Sequence, residues 1–152
     1  MYDSIKKIDL ILISFYRKNE EKFARFAIFL VYFWFGVLKL IGLSPATPLV
    51  KELYDVTIGS IGIIPFTFFY PLFSLLEVTI GILFLIRGLE RPAILLLAFH
   101  LVTTILPLIF LPQITWHSFL VPTLEGQYII KNILIAACAI VVGSKLVPIS
   151  SK

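Results

Sequence analysis

Four apolar runs, each close to the length that crosses a bilayer, leave this chain few ways to fold. Residues 23–43, 66–86, 92–111 and 128–144 are separated by polar or proline-rich stretches and carry almost no formal charge. A helix needs about 20 residues to span the hydrocarbon, and a lipid-exposed backbone has no water to bond with, so each run is expected to be helical. The fold class expected is all-α, a polytopic membrane four-helix bundle occupying residues 21–148. Composition agrees. Of 152 residues, 59% are apolar and 14% charged, where soluble domains carry about 25% charged residues.

Residues 1–20 read differently. In helical projection Ile5, Ile8, Leu12 and Phe15 share one face while Asp3, Lys6, Lys7 and Lys18 lie elsewhere. That pattern predicts an N-terminal interfacial amphipathic helix on the cytoplasmic membrane surface, with a frayed basic tail as the alternative. The apolar part, residues 10–13, is short, follows Asp9 and lacks a small-x-small site before the charged run 17–22, so a cleaved signal is not expected.

The net charge is +4, but the basic residues sit between apolar runs rather than on one polar surface, which argues against a nucleic-acid partner. Sidedness explains them. Lys6, Lys7, Arg17, Lys18, Lys22, Arg25, Arg87, Arg91, Lys145 and Lys152 fall on one side of the membrane, and Lys39, Lys51 and Lys131 on the other. The positive-inside rule then places both termini in the cytoplasm and the segments 44–65 and 112–127 outside, with a bacterial inner membrane as the expected location. Cys138 is the single cysteine, which leaves no pair for a disulfide or CxxC motif and no cysteine metal cage.

Polar residues inside spans are where function is first sought. Counting about 1.5 Å per residue from the charge that anchors each helix puts Glu77 and His100 near the midplane, and Lys39 and Lys131 about 21 Å up, in the outer half. Thr103 and Thr104 follow His100 at i+3 and i+4, Ser74 precedes Glu77 at i−3, and Asn132 adjoins Lys131. One polar pocket of Lys39, Glu77, His100, Thr103, Thr104, Lys131 and Asn132 is the expected ligand-binding site. The plainer reading has both lysines snorkelling to headgroups and His100 packed with a hydrogen bond. Haem is not expected, since His117 lies in an outer loop and cannot share an iron with His100.

Three stretches, VYFWFGVLKLIGLSP at 31–45, LEVTIGILFLI at 76–86 and PTLEGQYIIKN at 122–132, together resemble the DoxX-like family of small four-helix membrane proteins. The resemblance covers residues 23–146 and implies a four-helix bundle. Members of that family include the quinone-linked small subunit of a thiosulfate oxidoreductase, maturation factors for periplasmic enzymes and proteins of oxidative-stress resistance. Two functions follow as expectations. The first is a membrane subunit or accessory of a redox system, with a pocket for a quinone-like or small anionic ligand and a membrane or periplasmic redox protein as partner. The second is a noncatalytic assembly or scaffold protein whose outer loops dock a partner; either is compatible with a homo-oligomer in the bilayer. The ten-to-three split of basic residues makes a topological prediction: reporters fused after Lys152 and at Thr123 are expected to report opposite sides, with the Lys152 fusion cytoplasmic.

Overall fold

The computed structural model describes residues 2–148. Four long helical stretches make the bundle. The first is α1 (Tyr2–Leu40). After α2 (Thr47–Val56) and α3 (Ile58–Ile61) comes the second, α4 (Phe66–Leu85). The third is α5 (Glu90–Ile105) continued by α6 (Pro107–Phe110). Beyond α7 (Pro112–Thr115) and a small antiparallel hairpin of β1 (Trp116–Ser118) and β2 (Val121–Pro122), the fourth is α8 (Leu124–Ile130) continued by α9 (Asn132–Gly143). Four helices are long and apolar enough to cross a membrane. The chain is an integral membrane protein.

The interruptions within the third and fourth stretches have local causes. Pro107 has no N–H to donate, and before it Leu106 N–H bonds Thr103 O, three residues back, at 3.3 Å. At Lys131 the ladder tightens likewise, with Leu134 N–H to Lys131 O at 3.0 Å. Pro71 lies inside α4, one turn from the polar centre. A membrane helix tolerates such residues where neighbouring groups satisfy the backbone.

The first helix passes the 20/21 boundary without a break. Its 39 residues extend about 58 Å, roughly twice the hydrocarbon thickness of about 30 Å. Residues 4–18 are all exposed, and burial in the bundle begins at Glu21 and Ala24.

Close approach of α1 and α4 sets the core. A Cβ on Gly36 would lie 2.9 Å from the Val78 backbone nitrogen and 3.1 Å from Glu77 Cβ. One on Gly81 would lie 2.8 Å from the Phe33 nitrogen. Small residues let membrane helices reach such distances, where dispersion replaces the hydrophobic drive that lipid cannot supply. Around this contact Ile28, Ile80, Phe84, Leu97 and Val142 are fully buried, with Ala24, Ala93 and Ala139 beside them. At one end of the bundle Arg25 bonds Glu21 at 2.8 Å, the Phe84 carbonyl at 3.2 Å and the Glu90 carboxylate. This ties α1 to the turn joining α4 and α5, where Gly88 takes a φ of 90°. Near the same end, Lys145 pairs with Glu20, and Arg91 bonds the Val147 carbonyl.

At the other end the start of α8 is pressed on α7. Thr123 caps α8 by accepting from Gly126 N–H at 3.2 Å, and its own hydroxyl donates to Ile114 O at 2.7 Å. A Cβ on Gly126 would stand 2.1 Å from Thr115 O. Gly36→Leu and Gly126→Ala are therefore each expected to destabilise the fold, by about 1–3 kcal/mol or more since the obstructing atoms are backbone. Thermal unfolding in detergent measures both.

Candidate functional site

The α1–α4 contact brings three titratable side chains from three helices into one buried group. Glu77 of α4 points between α1 and α5, and Lys39 Nζ donates to its Oε1 at 2.6 Å and its Oε2 at 2.5 Å. Lys39 and Glu77 are 8% and 5% exposed, and His100 of α5 is 2% exposed. At such burial an unpaired charge would be strongly unfavourable, so the pair holds both ions in place. His100 Nε2 stands 3.1 Å from Glu77 Oε1. Its ring N–H is off the line to that oxygen, and Nε2 has no aligned hydrogen-bond partner.

The other imidazole nitrogen is engaged. Nδ1 of His100 lies 3.1 Å from the Tyr32 hydroxyl. With the phenol donating to Nδ1, the proton of a neutral ring sits on Nε2, on the Glu77 side. The four groups then stand in one row, Lys39 bonded to Glu77 and Tyr32 to His100, with the Glu77–His100 step a 3.1 Å approach rather than an aligned hydrogen bond. Phe73 stacks on the His100 ring at 4.9 Å and 24°, and the Lys39 ammonium is 6.0 Å from the Phe73 centroid.

The two ends of this row have different surroundings. Below Tyr32, the fully buried Ile28, Ile80, Phe84 and Leu97 separate it from the Arg25 cluster. Above Lys39 the environment is aromatic and partly polar. Ser74 donates to the Tyr70 carbonyl at 2.7 Å, and the Tyr70 hydroxyl meets the Thr47 hydroxyl at 2.5 Å. Tyr54 packs against Phe66 and Phe69 with centroids 5.2 and 5.1 Å away, Phe66 stacks on Tyr70, and Phe69 stacks on Phe73 at 5.7 Å. An aromatic column thus runs from α2 along α4 to His100.

Of the residues expected from sequence, Lys39, Glu77 and His100 are brought together. Thr103 and Thr104 lie on α5 with their hydroxyls donating to the carbonyls of His100 at 2.7 Å and Leu101 at 2.9 Å. Lys131 is exposed at the α8–α9 interruption, its ammonium 5.2 Å from the Tyr128 ring centroid, and Asn132 is half-buried. Among the described residues no hydrogen bond or ion pair joins Lys131 or Asn132 to the Glu77 group. Sequence reasoning missed Tyr32 and Phe73. Both had a signal: Tyr32 precedes Lys39 by seven residues and Phe73 precedes Glu77 by four, spacings that place each pair on one helix face.

Against known protein families, curated proteins and solved structures, the chain finds no match.

The buried pair makes a specific prediction. Glu77→Gln leaves the Lys39 ammonium uncompensated and is expected to destabilise the protein by about 3–5 kcal/mol. Adding Lys39→Met to that variant is expected to restore much of the loss, read as a higher melting temperature in detergent than the single mutant shows. A double mutant no more stable than Glu77→Gln would remove the pair from the account.

Proposed function

We propose that this membrane protein is a subunit or accessory of a redox system, and that its Lys39–Glu77–His100–Tyr32 row exchanges protons with a quinone-like ligand. The single observation that carries the reading is that row: a lysine, a carboxylate, an imidazole and a phenol in sequence, dry on the Arg25 side, with an aromatic column on the Lys39 side. Quinone carbonyls take up protons as they are reduced by the partner system and so need a positioned donor, whose proton is regained from the ligand side. The Lys39 ammonium, 6.0 Å from the Phe73 centroid, serves as donor. With the Tyr32 phenol donating to Nδ1, the His100 Nε2 proton lies 3.1 Å from Glu77 and reaches it after a small rotation of the ring.

Electrostatics favours a neutral ligand over a small anion, because the Glu77 carboxylate already balances the Lys39 charge. A flat ring also suits stacking on Tyr70, Phe69 and Phe73. The resemblance of residues 31–45, 76–86 and 122–132 to the DoxX-like family, with its quinone-linked member, supports the same class. By the basic-residue count, the column faces away from the cytoplasm.

One observation favours the scaffold reading as runner-up. Lys39 bonds both oxygens of Glu77, and a closed pair of this kind also serves to fix helix register. A short-chain, water-soluble benzoquinone separates the two. At saturating concentration it is expected to raise the wild-type melting temperature, since a ligand at 100 times its Kd adds about 2.7 kcal/mol. His100→Phe and the Lys39→Met, Glu77→Gln double variant are expected to lose that rise. A wild-type protein that melts unchanged while the variants fall in stability would favour the scaffold.

A further inference from the structure

The apolar stripe on the N-terminal half of α1 is left uncovered by the rest of the chain. Ile5 and Ile8 are each 58% exposed, Leu12 47% and Phe15 48%. Their spacing of three, four and three residues is that of a two-helix seam, in which knobs recur every 3.5 residues. The polar Asn19 and Lys22 follow in the same spacing and end it. Further along α1 the same side of the helix carries Phe23, Phe26, Leu30 and Trp34, all exposed, while Ala24, Ile28, Tyr32 and Lys39 face the bundle. The two apolar stretches thus lie on one side of α1, turned away from the other helices and separated by Asn19 and Lys22.

Along the second half of α1 lipid covers this side. Along its first half lipid does not reach it, because an unbroken helix of 39 residues carries the first half out of the bilayer on the axis of the span. Lying flat on the membrane surface would require a sharp break near residues 17–22, and the helical assignment of α1 is uninterrupted there.

We infer that this overhang docks on the same overhang of a second copy, forming a parallel α1–α1 seam through Ile5, Ile8, Leu12 and Phe15. Two copies in one bilayer share their orientation, so their overhangs are parallel and at the same height without further specification. In that arrangement the flanking positions also agree. Ser4 faces Asp9 and Ile11 faces Tyr16 across the seam, with no like charges opposed. Leu10 and Ile13 lie off the seam. The four seam residues with Ile11 and Tyr16 expose roughly 600 Å² per copy given their exposed fractions. The pair would bury about 1,200 Å², the lower edge for a specific interface. Confinement to one membrane adds to it.

Cysteine cross-linking of the full chain in membranes tests the seam, on a Cys138→Ser background. Under mild oxidation Ile8→Cys and Leu12→Cys are expected to give a disulfide-linked species of twice the 17.2 kDa chain mass. Ser14→Cys, on the opposite side of α1, is expected to stay monomeric. In an otherwise unchanged chain, Leu12→Glu is expected to shift the species seen by sedimentation in detergent from dimer to monomer. Equal cross-linking at all three positions would overturn the proposal. So would the absence of cross-links together with a spin label at Leu12 that is relaxed by lipid-dissolved oxygen, which would place the segment on the lipid surface instead.

Discussion

Two opposite charges held within a hydrogen bond of each other, in a place water does not reach, set the geometry of this bundle. The ammonium of Lys39 and the carboxylate of Glu77 are each unfavourable alone at that depth and favourable only together. Where the pair forms, the α1 and α4 backbones also come nearly into contact. Gly36 beside Glu77 and Val78, and Gly81 beside Phe29 and Phe33, provide that approach. The glycines set how closely the two helices pack, and the charged pair is the polar contact that fixes their register. His100 then brings α5 into the same centre.

A second charged group closes the opposite end, and what lies between gives the molecule its polarity. Arg25 holds Glu21, Glu90 and the Phe84 carbonyl, while Ile28, Ile80, Phe84 and Leu97 fill the interval to Tyr32 without a polar atom in their side chains. A proton reaching Tyr32 has no hydrogen-bonded continuation toward Arg25. The upper end differs in composition, with Ser74 bonded to the Tyr70 backbone carbonyl and the Tyr70 hydroxyl separately to Thr47 of α2. The buried group is thus polar and aromatic toward α2 and enclosed by hydrocarbon toward Arg25.

Much of this was legible in the sequence, and the omissions have physical reasons. Four apolar runs were enough to expect four helices, because the bilayer permits little else. Counting rise from the anchoring charges put Glu77 and His100 at one depth, and in the structure they are 3.1 Å apart. The same count put Lys39 above Glu77, within reach of a lysine side chain. It put Lys131 at the height of Lys39 too, but a height carries no azimuth, and the interruption at Lys131 turns its side chain outward over Tyr128. Thr103 and Thr104 illustrate another limit: in a helix interior a hydroxyl readily satisfies itself on a carbonyl three residues back. Tyr32 escaped notice because it counts as apolar in a hydropathy reading, although its hydroxyl needs a partner once buried. The continuity of α1 also had a sequence sign, since neither glycine nor proline occurs before Gly36.

That continuity joins the two halves of the molecule mechanically. Tyr32 and Lys39 project from α1 toward the bundle, whereas Ile5, Ile8, Leu12 and Phe15 share the opposite side of the same helix, as do Phe23, Phe26 and Leu30. A seam between two copies along that side leaves the Lys39 to Tyr32 row of each copy facing its own bundle, away from the partner. It also leaves α2, α4 and the aromatic column from Tyr54 to Phe73 at the periphery of the pair, open to lipid and to any protein that docks on the Lys39 end. Because α1 is a single stiff element about 58 Å long, a change in how the overhangs pack tilts the helix that carries Lys39. The hydrogen bonds of 2.5 and 2.6 Å between Lys39 and Glu77 tolerate little such tilt before they weaken. In the proposed pairing, association at one end of α1 would be coupled through this one helix to the geometry of the buried pair at the other.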